Sequence, residues 1–540
     1  MRGETAGRIG IGAIVGLMAS TAAAQWASPQ QLADPVDFSL HCKPGRMVGA
    51  AGGGFHTIYQ AGENLRYRRW QGGTLGPIVT SASAFMFNPQ ICEAPNGDIH
   101  VVFESWMDPD PPQVGWARST NGGASFGPWS RISNAGAGTK WPFVAPFGFS
   151  GPDVIMAYWD AAGKAMRFQR FNGSSWQPPS AAVFAGGVES QYMVTGMCRS
   201  PVDGTVYRSY GRKISGTFNP CFRRYNGSGW EGEVAVTPTG FFAWPHIAVN
   251  DAGTIMVYWE QDEVAWCRWF TPGQGWSVPK IIDAPGIHGH LVAVPGTHHF
   301  ACITTGNQNS ARVRMWVRGQ WMPAVNVSNS TGFTPDSRIA ADVNRALMAA
   351  WENWDTGLPR WWYSVLNTPR LEVAPTAFSR TVAAGLSLDP DTFLLTNTGS
   401  GTLNYTITSN AGWLSPSVSA GANSGSDDDI TIHYNLTGLA AGDYTGVLTI
   451  TPSAGGGPRT VTVSLRITAL KPDMDRDGDV DQHDYGRFQT CLTGAFIPQT
   501  DPACADARLD EDSDVDAGDT ALFLGCFSGP DVPAVPTCLP

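Results

Sequence analysis

Charge is scarce in this chain of 540 residues: Asp, Glu, Lys and Arg together make up 15 % of it. No basic excess exists to attract a nucleic-acid backbone, which argues against a nucleic-acid partner. The formal net charge is −11, and residues 471–540 alone hold fifteen acids against four bases, so the whole imbalance sits in that tail. Long apolar runs are equally lacking. The run IGIGAIVGLMA (9–19) is short for a bilayer crossing, and no later segment approaches it, so no transmembrane segment is expected after signal cleavage. Also absent are a nucleophile motif, a zinc signature and a phosphate-binding loop. Cysteine is modest, with ten residues, four of which crowd the last fifty.

Gly (63), Pro (39) and Trp (21) are plentiful, the composition of a turn-rich β protein. Arg2 and Arg8 before the apolar run, and Ala22 and Ala24 after it, read as a secretory signal cleaved after Ala24, with an uncleaved anchor as the alternative. The protein is therefore expected to be secreted, extracellular or at a cell surface. Secretion in turn makes all ten cysteines candidate disulfide partners.

A phrase recurs between residues 26 and 367: an apolar run, a Gly or Asp/Asn turn, then a run ending in aromatics. AGGGFHTIYQ (51–60), PNGDIHVVF (95–103), GPDVIMAYW (151–159), PVDGTVYRSY (201–210), NDAGTIMVYW (250–259), VPGTHHFACITT (294–305) and DVNRALMAAW (342–351) are seven hairpins at roughly fifty-residue spacing. The spacing predicts a seven-bladed β-propeller over residues 25–368. Its last blade, RWWYSVLN (360–367), lacks an outer strand, and WASPQQLAD (26–34) has the form to supply it, closing the ring and removing open edges.

STNGGASF (119–126) resembles the Asp-box turn of sialidase-like (BNR) propellers, with Ser119, Asn121, Gly123, Ser125 and Phe126 at the matching positions. The motif is structural, capping turn N–H groups and pinning an aromatic to its blade. The resemblance implies architecture only. The Arg-Ile-Pro-like stretch and the Tyr–Glu nucleophile of sialidases have no counterpart read here, and those roles are not carried over.

Residues 370–468 alternate apolar and polar positions at period two, the pattern of an antiparallel sandwich. LTNTGSGTLNYTITSNAGWLS and LAAGDYTGVLTI resemble BACON-type immunoglobulin-like modules, which are found beside carbohydrate-active domains. Trp413 is read there as a packing anchor rather than a sugar platform.

In DMDRDGDVDQHD (473–484) acids fall at loop positions 1, 3, 5, 7, 9 and 12: Asp473, Asp475, Asp477, Asp479, Asp481 and Asp484, with Gly478 at 6. Calcium needs six to eight oxygens, and this spacing wraps a chain around one such ion. DYGRFQTCLTG (484–494) recurs as DTALFLGCFSG (519–529), so a second loop carries Asp510, Asp512, Asp514, Asp516 and Asp519. Arg508 at position 1 and Ser513 at position 6 predict a weaker second site. The duplicated loops, each followed by a short helix, resemble the dockerin domain over residues 469–540. That resemblance implies Ca2+ as cofactor and a cohesin-type protein as partner, beside a plainer reading as a calcium-stapled anchor. The nearest tail pairings are Cys491 with Cys504 and Cys526 with Cys538.

Starts of inner strands and ends of second strands share one face of a propeller. That rule gathers Lys140, Trp141, Glu189, Tyr192, Trp244, His246, His288, His290, Asp336 and Arg338, with Glu104, Asp160, Glu260 and Glu352. His246, His288, Glu189 and Tyr192 are the proton-transfer candidates, the histidines because their ordinary pKa lies near neutral. Lys140, Trp244, His290, Asp336 and Arg338 are the ligand-binding candidates, with Arg338 able to hold a sugar carboxylate bidentately. Two readings stay open: a polysaccharide-degrading hydrolase or lyase acting on extracellular glycan, and a catalytically inactive adhesion or interaction scaffold.

Overall fold

The computed structural model describes residues 26–32, 44–83, 86–107, 110–133, 138–161, 165–180, 194–214, 217–237, 243–306, 310–328, 334, 336–354, 360–454, 456–530, 532, 534–535 and 537–539. Residues 1–24, read from the sequence as a signal, and Glu189 and Tyr192 lie outside them. The chain is mainly β and forms two compact units, residues up to Thr368 with Thr398–Gly401, and the remainder. No described helix is long and apolar enough to cross a membrane.

Among the described residues the first unit holds seven antiparallel sheets of three to five strands. Their second strands, such as Phe55–Ala61, Val154–Asp160 and Phe300–Gly306, are buried along their whole length. Third strands such as Asn64–Gln71 alternate buried and half-buried residues. The difference follows from position, since a central strand covered on both faces reads as a continuous apolar run whereas an outer strand alternates. The first strands pack one against the next in a closed cycle: Pro44–Gly49, Met86–Glu93, Thr139–Pro146, Val194–Arg199, Ala243–Val249, Ile287–Ala293, Ser337–Ala341 and back to Pro44–Gly49. In the seventh sheet the short strand Gln30–Gln31 pairs antiparallel with Arg360–Leu366, Gln30 opposite Tyr363. The Tyr363 hydroxyl donates to Gln30 Oε1 at 2.6 Å.

In the turn at 119–126, Ser119 Oγ accepts from Gly123 N at 3.0 Å and Asn121 Oδ1 from Ser125 N at 3.0 Å. Phe126 meets the Tyr67 ring edge-on at 5.2 Å. Among the scattered cysteines one expectation fails. Cys92, Cys198, Cys221, Cys267 and Cys302 are free thiols, and four of them are buried small hydrophobes on strands, where packing and not oxidation explains them.

The second unit holds a four-stranded and a five-stranded sheet over residues 371–468. Their inner faces share one core that includes Phe393, Leu448, Ile450 and Trp413. Trp413 is buried and stacks near Tyr434 with ring centroids 6.4 Å apart. The tail contributes helices α1 (Gln482–Thr490) and α2 (Ala517–Gly525), with a 3-10 turn at Pro502–Ala507 between them. Both helices start on a capping box, Asp481 with Asp484 and Asp516 with Asp519. Disulfides join Cys491 to Cys504 and Cys526 to Cys538.

Candidate functional site

The seven first strands present one equivalent residue each. Gln90, Phe143, Gly196, His246, His290 and Arg338 all pair with the fourth residue of their sheet's second strand. Arg46 stands one residue before Met47, which pairs with Thr57, and so takes the same place in the first sheet. All seven line one cavity of about 380 Å³, together with Trp244, His288, Glu260, Asp336 and Glu352. A second space of about 270 Å³ continues past Arg46, Ile247, His290 and Leu291.

Bulges aim these side chains. Asn88, Trp141, Trp244 and His288 sit two residues before their ring residue with φ near +50°. The ladder register shifts at each of these four points. A left-handed backbone at Trp or His costs energy and tends to be kept where it directs a side chain. The next residue is Pro89, Pro142, Pro245 or Gly289, and proline's missing N–H costs nothing where the ladder is already broken.

Carboxylates on the second strands hold the bulge of the following sheet. Glu104 Oε1 accepts from Trp141 N at 2.7 Å and from Asn88 Nδ2 at 2.8 Å. Glu260 Oε1 accepts from the Tyr258 hydroxyl at 2.8 Å and from Gly289 N at 3.1 Å. Asp160, grouped with these acids in the sequence, lies one position further along its strand and instead accepts from Arg167 Nε at 2.6 Å. Trp159 precedes it at the Glu260 position, so the carboxylate is turned away from the cavity. Lys140 Nζ lies 5.8 Å over the ring of Trp106 and does not line the cavity.

Within the cavity, Trp244 and His288 approach to 5.0 Å between ring centroids, and His246 meets His290 edge-on at 4.8 Å. His290 Nδ1 is 3.0 Å from the Ile339 carbonyl. Burial, helped by the Arg338 and Arg46 charges, drives the His246 pKa down to about 3, and burial likewise lowers His288 and His290. The near-neutral pKa expected of His246 therefore does not hold. Its imidazole is an uncharged hydrogen-bonding group at physiological pH. Burial raises the Glu260 carboxyl to about 7, so a carboxylate, not an imidazole, titrates near neutrality here. Arg338 grips Asp336, through Nη1 to Oδ1 and through Nη2 to Oδ2 at 3.3 Å. Arg46 reaches from the first sheet to the Val144 carbonyl at 3.2 Å and the Met197 carbonyl at 2.5 Å. Sequence reasoning missed Arg46, Gln90 and Phe143. The short phrases NPQ, KWPF, AWPH and IHGH, aligned on one another, carry the signal that would have found the ring.

Glu260 yields a pH prediction. Its folded pKa is raised above the ordinary 4.5, so the folded state holds the proton more tightly than the unfolded state. Its contribution to stability is full below pH 4.5, falls between about 4.5 and 7, and is lost above that. The difference amounts to about 3 kcal/mol at most. His246 acts oppositely, because a lowered folded pKa makes stability rise with pH between about 3 and 6.5. Subtracting a Glu260→Gln variant isolates the first effect: urea unfolding should show the variant gaining on the parent as pH rises from 5 to 8. A constant difference would contradict the Glu260 environment described.

Among its described residues the tail holds four groups of carboxylates whose oxygens lie within 4.8 Å of one another: Asp473, Asp475 and Asp484; Asp479, Asp481 and Asp484; Asp510, Asp512 and Asp519; Asp514, Asp516 and Asp519. The Oδ1 atoms of Asp475 and Asp514 are buried without a hydrogen-bond partner. Buried carboxylate oxygens of this kind fit a hard, oxygen-seeking cation. Asp481 and Asp516 also serve as helix caps, accepting from His483 N and Gly518 N. The two loops share a backbone course, with positive φ at Arg476 and Glu511 in register.

Residues 370–468 match the model of the viral BACON domain family. No curated protein sequence matches the chain at a significant level. Solved structures with similar coordinates include polysaccharide lyase Uly1, at 9% identity and TM-score 0.42 over 61% of this chain and 89% of that one. A protein of unknown function from Dyadobacter fermentans has 13% identity and TM-score 0.38, over 52% and 94%. The intramolecular trans-sialidase from Ruminococcus gnavus has 8% identity and TM-score 0.39, over 52% and 94%.

Proposed function

We propose that residues 25–368 form a seven-bladed β-propeller whose axial cavity binds an acidic extracellular polysaccharide and degrades it. The observation that carries this reading is the convergence of seven equivalent strand positions on one cavity holding Arg46, Arg338, His246 and His290 beside the Trp244–His288 pair. Arginine forks suit sugar carboxylates, and an aromatic face suits a pyranose ring. In this reading Arg338 and Arg46 hold the anionic groups and Trp244 stacks on the sugar. Glu260, whose pKa is raised to about 7, exchanges a proton with substrate, and His246 and His288 are hydrogen-bonding candidates beside it. Glu189 and Tyr192, outside the described residues, remain candidates from the sequence alone. The BACON match over 370–468 agrees, since such modules accompany carbohydrate-active domains.

The tail is read as a dockerin-like module holding Ca2+ through Asp473, Asp475, Asp477, Asp479 and Asp484, for assembly on a cohesin-type partner or for anchoring. The two tail disulfides support an extracellular location. A second reading of the propeller, a binding scaffold without turnover, is favoured by one observation: Glu260 and Arg338 are already engaged by Tyr258, Gly289 and Asp336.

Incubating the full chain with a panel of acidic polysaccharides separates these readings. New reducing ends identify a hydrolase, and unsaturated products identify a lyase. Binding without either identifies the scaffold, and neither binding nor products sinks the glycan assignment.

A further inference from the structure

Of the 21 tryptophans, three are exposed: Trp106 at 42%, Trp244 at 38% and Trp354 at 40%. All three stand on the face that carries the axial cavity. Trp244 is near the start of its sheet's first strand, Ala243–Val249. Trp106 and Trp354 each come two residues after a glutamate at the end of a second strand, Glu104 and Glu352. One apolar ring in water is ordinary, but confinement of every exposed indole to a single face marks a surface that meets a ligand. Trp244 lines the cavity and Trp106 does not, yet Trp106 is held in a fixed pose. Phe87 meets its ring edge-on at 5.7 Å. Its indole N–H points to Glu104 Oε2 at 3.5 Å. Glu104 is itself buried and anchored through Oε1 by Asn88 and the Trp141 backbone.

Lys140 brings its ammonium to 5.8 Å from the centre of the Trp106 ring. It has no carboxylate partner among the described residues. Ring and cation come from the second and third sheets, which also supply Gln90 and Phe143 to the cavity wall. The Trp244–His288 pair belongs to the fifth and sixth sheets, three places further round the closed cycle. We propose that Trp106 and Lys140 form an outlying station for one uronic acid residue, while neighbouring residues of the same polysaccharide fill the axial cavity. The indole stacks on the pyranose, and the ammonium, a point charge on a flexible stem, pairs with the carboxylate. This station depends on the glycan reading of the cavity and adds an extent to it. The protein grips a stretch of several sugars, and an oligosaccharide that fills the cavity alone binds less tightly than the polymer.

The test measures binding of the full chain to polygalacturonate, alginate and hyaluronate, each as polymer and as disaccharide. For a polymer that the parent binds, Trp106→Ala and Lys140→Ala should each weaken binding by about fivefold or more. Their melting midpoints should stay within about a degree of the parent's, since both side chains are at the surface. The disaccharide, held in the cavity alone, should bind both variants as it binds the parent, whereas Arg338→Ala should weaken both probes. Equal affinity of parent and variants for the polymer would overturn the station and leave the cavity reading standing. Binding of no polymer by the parent would overturn both. An equal loss on polymer and disaccharide would place Trp106 inside the cavity and so refute a separate station. Should Trp106→Ala fold poorly, Lys140→Glu decides the matter. A reversed charge should weaken polymer binding more than Lys140→Ala does, and unchanged binding refutes the station.

Discussion

Replacing Asp484 with alanine is expected to remove tight calcium binding from the full chain, with a loss of affinity of at least a hundredfold. Asp484 is fully buried, and its two oxygens do several things at once. Oδ1 accepts from Met474 N at 2.6 Å and Asp475 N at 3.0 Å, and Oδ2 accepts from Asp481 N at 2.9 Å. It also belongs to both carboxylate groups of the first loop. Alanine removes a ligand and orphans three backbone donors, each costing about 1–3 kcal/mol when buried. The α1 capping box is lost with it. Asp519 accepts the equivalent bonds from Leu509, Asp510 and Asp516 in the second loop. With Arg508 at the first position of that loop, Asp519→Ala should disturb α2 yet spare the tight site. Calorimetric titration of parent and both variants is the check. Unchanged affinity in Asp484→Ala, or equal losses in both variants, would show that the first loop is not the tight site.

Arg338→Ala should weaken binding of an acidic polysaccharide at least tenfold while moving the melting midpoint by no more than about a degree. The asymmetry rests on the ion pair with Asp336. Both partners are partly exposed, with side chains 25% and 29% accessible, and exposed pairs contribute about 0–1 kcal/mol to stability. A sugar carboxylate bound as proposed would compete with Asp336 for the same fork. Asp336→Asn removes that competitor and should tighten binding severalfold. Binding that is indifferent to both substitutions would move the site away from this wall of the cavity.

The strands and the tail were legible in the sequence because their signals are local. Seven hairpin phrases and an acidic loop with glycine at its sixth position need only a few adjacent residues to be recognised. The tail pairings Cys491–Cys504 and Cys526–Cys538 followed from loops of about a dozen residues. The free thiols did not follow. Cys267 and Cys302 are buried in neighbouring sheets, and no sequence spacing distinguishes such packing from cross-linking. The engagement of Glu104 and Glu260 was equally hidden, because one donor to each is a backbone N–H group of the following sheet, some thirty residues away. Arg46 escaped because GRMV has neither the proline of NPQ, KWPF and AWPH nor the histidine pair of IHGH. Its place emerges only from strand register.

The pairing of Gln30–Gln31 with Arg360–Leu366 imposes an order on biosynthesis. Tyr363 and Gln30 lie 333 residues apart. At ribosomal rates of about 5–20 residues per second, on the order of tens of seconds separate the appearance of the two strands. Throughout that interval the earlier strand has no partner, and the sheets already made end in an open edge. The strand Gln30–Gln31 must therefore stay solvated until Arg360–Leu366 has been made. A chain stopped short of residue 360 would remain permanently unclosed, exposing the edge that recruits other chains.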